Sequence, residues 1–210
     1  CRPRNTEFLI QQILLYYQDQ IKQTLSNRQI FNIFKSNKKI LLFLFKHKII
    51  TVDNSISNIL SKYDGYFSNE INLFLERQIE NDQLFDQKRQ IGENDNYICQ
   101  IIREDLIVQF VKYVNQKNIS LNCKIEPSIF ETHNFLIDQK ETTLIEYAAF
   151  YGSIQIFKYL KIKNVIIDES TMKYAIHGQN VELISIIEDT INIYNEIYEF
   201  IVEAIKCHNN

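Results

Sequence analysis

Glycine and proline are scarce in this 210-residue chain, at 4 and 2 copies. A β-sandwich or barrel needs a turn former about every ten residues, so all-β architectures are disfavoured, and collagen-like or low-complexity classes fall with them. Tryptophan is missing and methionine occurs once. Alanine is rare while Ile, Asn, Lys, Phe and Tyr abound, a usage that follows A/T-rich codons. Charge of one sign is not in excess either. A net charge of −3 and a sequence pI near 5.9 supply no general attraction for phosphate backbones or anionic lipid, so neither nucleic acid nor membrane is an expected partner. The basic cluster Lys35, Lys38, Lys39, Lys46 and Lys48 brackets the apolar run 40–45 and reads as a solvated helix rim. That run is far shorter than the ~20 residues that cross a bilayer. Cys1, Cys99, Cys123 and Cys207 form no CxxC pair, which excludes a disulfide scaffold and fits reduced thiols and a cytoplasmic setting.

What the chain does have is apolar residues at helical spacing. Hydrophobic residues make up 45% and charged residues 23%, enough to bury a core. Phe8, Ile10, Ile13, Leu14, Tyr17 and Ile21 step by threes and fours, which predicts one apolar stripe on a first helix. Shorter units follow at 30–34 and 40–49, then one opened by Asp53 as N-cap. Helices under about 12–15 residues are marginal alone in water, so such units must stack against neighbours, and a repeat array is expected. A further helix is predicted over 69–79, and 87–96 is the best linker. These readings divide the chain into an N-terminal helical repeat-like region, 1–96, and a second region, 97–210. The latter opens with a helix pair at 97–105 and 106–116. A polar passage over 118–142 follows, with Pro127 and extended pieces around Phe135 to Ile137, and then two helix pairs in quick succession.

Self-comparison of these pairs shows a repeat. Tyr147-Ala148-Ala149 aligns with Tyr174-Ala175-Ile176 at a shift of 27 positions (174 minus 147), and Ile154, Ile156, Phe157 and Leu160 meet Val181, Leu183, Ile184 and Ile187. The pattern restarts with Ala204 and stops without a second helix. The segment TTLIEYAAFYGSIQIFKYL resembles the ankyrin repeat, T-P-L-H-x-A-A-x-x-G-x-x-x-I-V-x-x-L-L. Thr143, Ala148, Ala149, Gly152, Ile156, Phe157 and Leu160 stand at matching positions and Asp138 at the hairpin Asp. Leu144, Glu146 and Glu141 replace the Pro, the His and the hairpin Gly. The second copy carries Gln179 at the Gly position and lacks about six residues of the 33-residue ankyrin period. From residue 97 onward the chain is similar to a protist-expanded ankyrin family that carries a domain of unknown function, and 38–56 is similar to that family's preceding helical unit. The resemblance implies an all-α, ankyrin-like helical repeat solenoid with degenerate repeats and at most one short β-hairpin. It implies no activity, no cofactor and an undefined protein partner.

The residues themselves offer no competing chemistry. Adjacent Cys207 and His208 point in different directions on a helix and have no further ligands at zinc-finger spacing. Cys99, flanked by Ile98 and Ile101, reads as a buried thiol. No phosphate-cradling Gly loop, HExxH, GxSxG or paired carboxylate is present. Ala148, Ala149 and Ala175 are expected where inner helices press together, so a Phe at 148 or 149 would unfold the C-terminal half while Glu146→Ala would matter little. The hairpin-like Gln139, Lys140 and Glu141, with Phe150, Tyr151 and His177 at the outward end of the inner helices, are the candidate partner-binding residues. The expected function is a non-enzymatic interaction module or scaffold. A spacer within a longer repeat protein is the alternative, and an enzyme of unrecognised type the more remote one. Ile197, Ile201 and Ile205 are expected to rest on the preceding pair, with Tyr198 and Val202 poorly covered. Because the last repeat lacks its outer helix, and the chain starts at Cys1, we expect the natural protein to continue past Asn210 and to have residues upstream.

Overall fold

The computed structural model describes residues 4–78, 82–139, 141–191 and 196–209. Among them are fifteen α-helices and no strands, so the fold class is all-α. The only trace of the expected hairpin region among the described residues is one antiparallel bridge between Lys124 and Thr143. The chain forms two compact units. One runs to Asn94 and takes in Ser128–Asp138, and the other comprises Asp95–Pro127 and the chain from Gln139 onward.

The first unit contains α1 (Arg4–Tyr16), α2 (Gln18–Thr24), α3 (Asn27–Phe34), α4 (Lys38–Lys46), α5 (Asn54–Leu60), α6 (Ser68–Phe74) and α7 (Gln83–Ile91). Helices this short need their ends satisfied locally. Ser26 and Gln29 form a capping box on α3, Asn37 caps α4, and Asp53 accepts from the Ile56 N–H at the start of α5. The Asn27 carboxamide pairs with both the N–H and the carbonyl of Thr51, tying α3 to the loop before α5. The core gathers Leu14, Ile30, Phe31, Ile40, Leu41, Leu44, Ile56, Leu60, Tyr66 and Phe67. The predicted single stripe on the first helix does not survive. The helix breaks between Tyr16 and Gln18. Leu14 is buried and Ile10 and Ile21 partly so, whereas Phe8, Ile13 and Tyr17 are exposed.

Gln87 to Ile91, expected in a linker, are the last turns of α7. Arg89 fixes them there. Its guanidinium, 5% exposed, lies 2.7 Å from Glu70 and 2.6 Å from Asp86 and donates to the Tyr66 carbonyl at 3.1 Å. Gly92 ends the helix at φ 67°. A Cβ there would lie 2.8 Å from Thr132 Oγ1 and would displace the end of the Lys39 side chain, so both the backbone conformation and the space favour glycine. Residues 128–138 close on this unit because the Glu131 carboxylate accepts from the N–H groups of Asn94, Thr132 and His133. Lys38 meanwhile donates to the carbonyls of Ile129 and Glu131. Phe135 to Ile137, expected to be extended, lie in α10 (Asn134–Asp138) with Leu136 buried.

The second unit is a row of helix pairs: α8 (Tyr97–Arg103) with α9 (Ile107–Lys117), α11 (Leu144–Tyr151) with α12 (Ile154–Ile162), α13 (Glu169–Gly178) with α14 (Val181–Glu188), then α15 (Ile197–Asn209). Within the row, α11 packs on α8 and α13, and α13 packs on α15. The corner of each pair turns on a left-handed residue: Asp105 at φ 52°, Gly152 at 70° and Gln179 at 54°. Ala148, Ala149 and Ala175 are fully buried. A Cβ on Gly178 would collide with the Phe150 carbonyl oxygen, so backbones of successive inner helices touch there. Glu146, expected to be dispensable, is buried. It closes a capping box with Thr143, accepting from the Thr143 N–H at 2.7 Å, and also accepts from the Ser170 hydroxyl of α13. Between neighbouring pairs, Asp105 accepts from the first N–H groups of α12, and Ser153 donates to the Ile102 carbonyl.

Candidate interaction surface

The hairpin-like loop keeps its polar residues in solvent. Gln139 and Glu141 are exposed, while Lys140 lies outside the described residues. Lys124 reaches Glu141 at 2.5 Å. Its hydrogen bond and charge hold that carboxyl below the usual range, although both side chains are open to water and such a pair is weak there.

The aromatic end of α11 is arranged otherwise. Phe150, expected to face outward, is 7% exposed. The α13 backbone at Gly178 comes against the Phe150 carbonyl, so this end of α11 is packed against the next inner helix. Tyr151 is half-buried in a ring cluster with Tyr147 at 4.7 Å and Phe150 at 5.0 Å. Arg103 of α8 donates to the Tyr147 hydroxyl at 2.9 Å and sits over the Tyr151 ring. The cluster joins two helix pairs, with a cation-π contribution.

His177 also works inside the unit. Its side chain is 8% exposed, with Nε2 3.0 Å from a carboxylate oxygen of Glu203 on α15. One turn away Lys173 meets Glu199 at 3.0 Å, so two polar pairs at equal spacing clamp α15 to α13. Burial would raise the Glu203 pKa, but the hydrogen bonds and charges of Lys206 and His177 outweigh it and hold the carboxyl below its ordinary value. Burial pushes the thiols of Cys123 and Cys207 up, away from the nucleophilic thiolate, and Cys99 is fully buried. Among the described residues no group of three or more His, Cys, Asp and Glu is placed to hold a metal ion, and no helix is long and apolar enough to cross a membrane.

The clamp determines what α15 shows to solvent. Phe200 is buried, whereas Ile197, Tyr198, Ile201 and Ile205 are 43–79% exposed along one side. The expectation that the three isoleucines rest on the preceding pair is therefore corrected. Glu199 and Glu203 take that side because their partners on α13 are charged or polar, and the apolar stripe turns outward. A signal for this register was available in the sequence: Lys173 and His177 are spaced like Glu199 and Glu203, 26 positions on (199 minus 173). Of the six expected contact residues, the structure leaves Gln139 and Glu141 exposed and Tyr151 half-exposed, and it uses Phe150 and His177 internally. The chain matches no protein-family model, no curated protein and no solved structure.

Proposed function

We propose that this chain is a non-enzymatic interaction module of the ankyrin-like helical-repeat kind, and that its partner presents an α-helix that stacks on α15. The carrying observation is the stripe of Ile197, Tyr198, Ile201 and Ile205. Four large apolar side chains on one helix face are a recognised mark of a contact surface. The occupant follows from the row itself. Each inner helix up to α13 is covered by the next one packed side by side, so the surface left on α15 continues that series and suits a helix with an apolar ridge. The side chains that would bring charge to the contact, Glu199 and Glu203, are already committed to Lys173 and His177.

Ile201→Glu tests this reading, because it places a charge in the stripe without touching the α13 clamp. A partner retained by the wild-type chain should be lost by Ile201→Glu and kept by the distant Val108→Glu. Hydrogen exchange on the complex should protect one helical segment of the partner together with α15. Equal retention by both variants would remove α15 from the function.

A further inference from the structure

We infer that the first unit holds a binding site for a small neutral saccharide in the cleft between α6 and α7. This concerns a different part of the chain from the α15 surface and does not depend on it. The cleft has a volume of about 410 Å³ and is lined by Ser68, Asn69, Asn72, Gln78, Asp82 and Phe85. That volume is in the range of small-molecule sites, but such sites are ordinarily walled by apolar groups with a few polar ones. Here the proportion is reversed, so the ligand that fits is one whose own surface is mostly hydrogen-bonding.

The chemistry of the wall narrows the class. Three carboxamides and a hydroxyl each donate and accept, while the Asp82 carboxylate accepts only. Vicinal hydroxyls of a sugar need both kinds of partner at once. Phe85 adds one apolar surface, which suits the C–H face of a pyranose ring. Among the described residues no lysine or arginine lines the cleft. The neighbouring Arg89 is committed to Glu70 and Asp86, so phosphates and carboxylic acids meet Asp82 without a compensating cation.

Three of the lining residues, Asn69, Asp82 and Phe85, are held in place before any ligand arrives. Arg89 joins α6 to α7 through Glu70 and Asp86. The Asn69 carboxamide donates to Asp86 at 3.4 Å. Asp82 Oδ1 accepts from the N–H groups of Leu84 and Phe85, which aims the carboxylate and leaves Oδ2 for a ligand. The Phe85 ring is set edge-on against Phe130 at 5.5 Å, with the Arg89 guanidinium 5.0 Å from its centroid. Pre-set walls reduce the ordering cost of binding.

The experiment is an amide-resolved NMR titration of the full chain with glucose, galactose, mannose, N-acetylglucosamine and their disaccharides. N-acetylglycinamide serves as an amide-only probe. At least one sugar should shift the signals of Asn69, Asn72 and Phe85 with a Kd of about 1 mM, and Asn72→Ala should weaken it about tenfold, the loss of roughly one hydrogen bond. Ser68→Ala provides a second reading if Asn72→Ala melts early. The proposal is overturned if no sugar moves the cleft signals, if the response survives both variants, or if only the amide probe binds.

Discussion

Lys48, Asp105, Asn118, Asn164 and Gln179 all hold positive φ, between 51° and 58°. An L-residue there costs about 1–2 kcal/mol relative to the right-handed region, a cost glycine does not bear. The chain has few glycines and so turns many of its corners on other residues, with different consequences at different positions. Lys48 is exposed, so Lys48→Gly should relieve strain against only the greater unfolded-state entropy of glycine, a net gain of about 0.5–1 kcal/mol in urea unfolding. Asp105 has almost the same φ but accepts from the Gln155 and Ile156 N–H groups at 3.0 Å. There the lost cap opposes the relieved strain, and Asp105→Gly should destabilise by about 1 kcal/mol in the same measurement. If Lys48→Gly and Asp105→Gly move stability in the same direction, capping is not what holds Asp105 in place.

Backbones touch where α13 meets the end of α11. Any side chain at 178 must push the Phe150 carbonyl away, so Gly178→Ala should cost about 1–3 kcal/mol by overpacking, with little change in m-value. Glu146→Ala at the same junction should cost about 1–2 kcal/mol, since it opens the Thr143 capping box and frees Ser170. The Thr, the two alanines and Gly152 made α11 and its left-handed end legible in the sequence, because those residues act through backbone geometry and close packing. The burial of Glu146 was not legible because one of its partners, Ser170, lies on the next helix. Phe150 and His177 failed for a related reason: a repeat pattern gives the position of a residue along a helix, not the side chain that arrives opposite it. The α13–α15 clamp carries a pH dependence of definite sign. Glu203 titrates below its unfolded value, near 4.3, so its contribution is present above that pH and is lost as pH falls through the folded value. Melting curves between about pH 3 and 7 should show Glu203→Gln less stable than the parent at neutrality, with the difference shrinking on the acid side. A constant difference would mean that Glu203 acts by packing alone.

Across the whole molecule, the passage of residues 128–138 into the first unit was hidden from the sequence. It depends on Lys38 and Asn94 meeting Glu131 from far along the chain, and no local period records such a contact. The row in the second unit was more legible, since its spacing is repeated, and it implies a gradient of stability. In a stack each helix is held by its own propensity and by the interfaces with its two neighbours. Between α8 and α13, α11 has both, and every side chain from Leu144 to Phe150 is buried. Next along, α13 is covered by α11 and α15, but its buried residues are fewer. At the end of the row, α15 packs on α13, and it shows four large apolar side chains to water. Local opening should follow that order. Native-state hydrogen exchange should find the amides of 147–151 slowest, those of 173–178 intermediate and those of 201–206 fastest. The α15 amides should open at a free energy well below the global value and with a small denaturant slope, because fraying one helix exposes little surface. A helical partner seated on Ile197, Tyr198, Ile201 and Ile205 would supply the missing interface and bring α15 toward the protection of α13. If α15 in the free chain already exchanges as slowly as α11, the open end of the row is not its weak point and the reason for placing a partner there disappears.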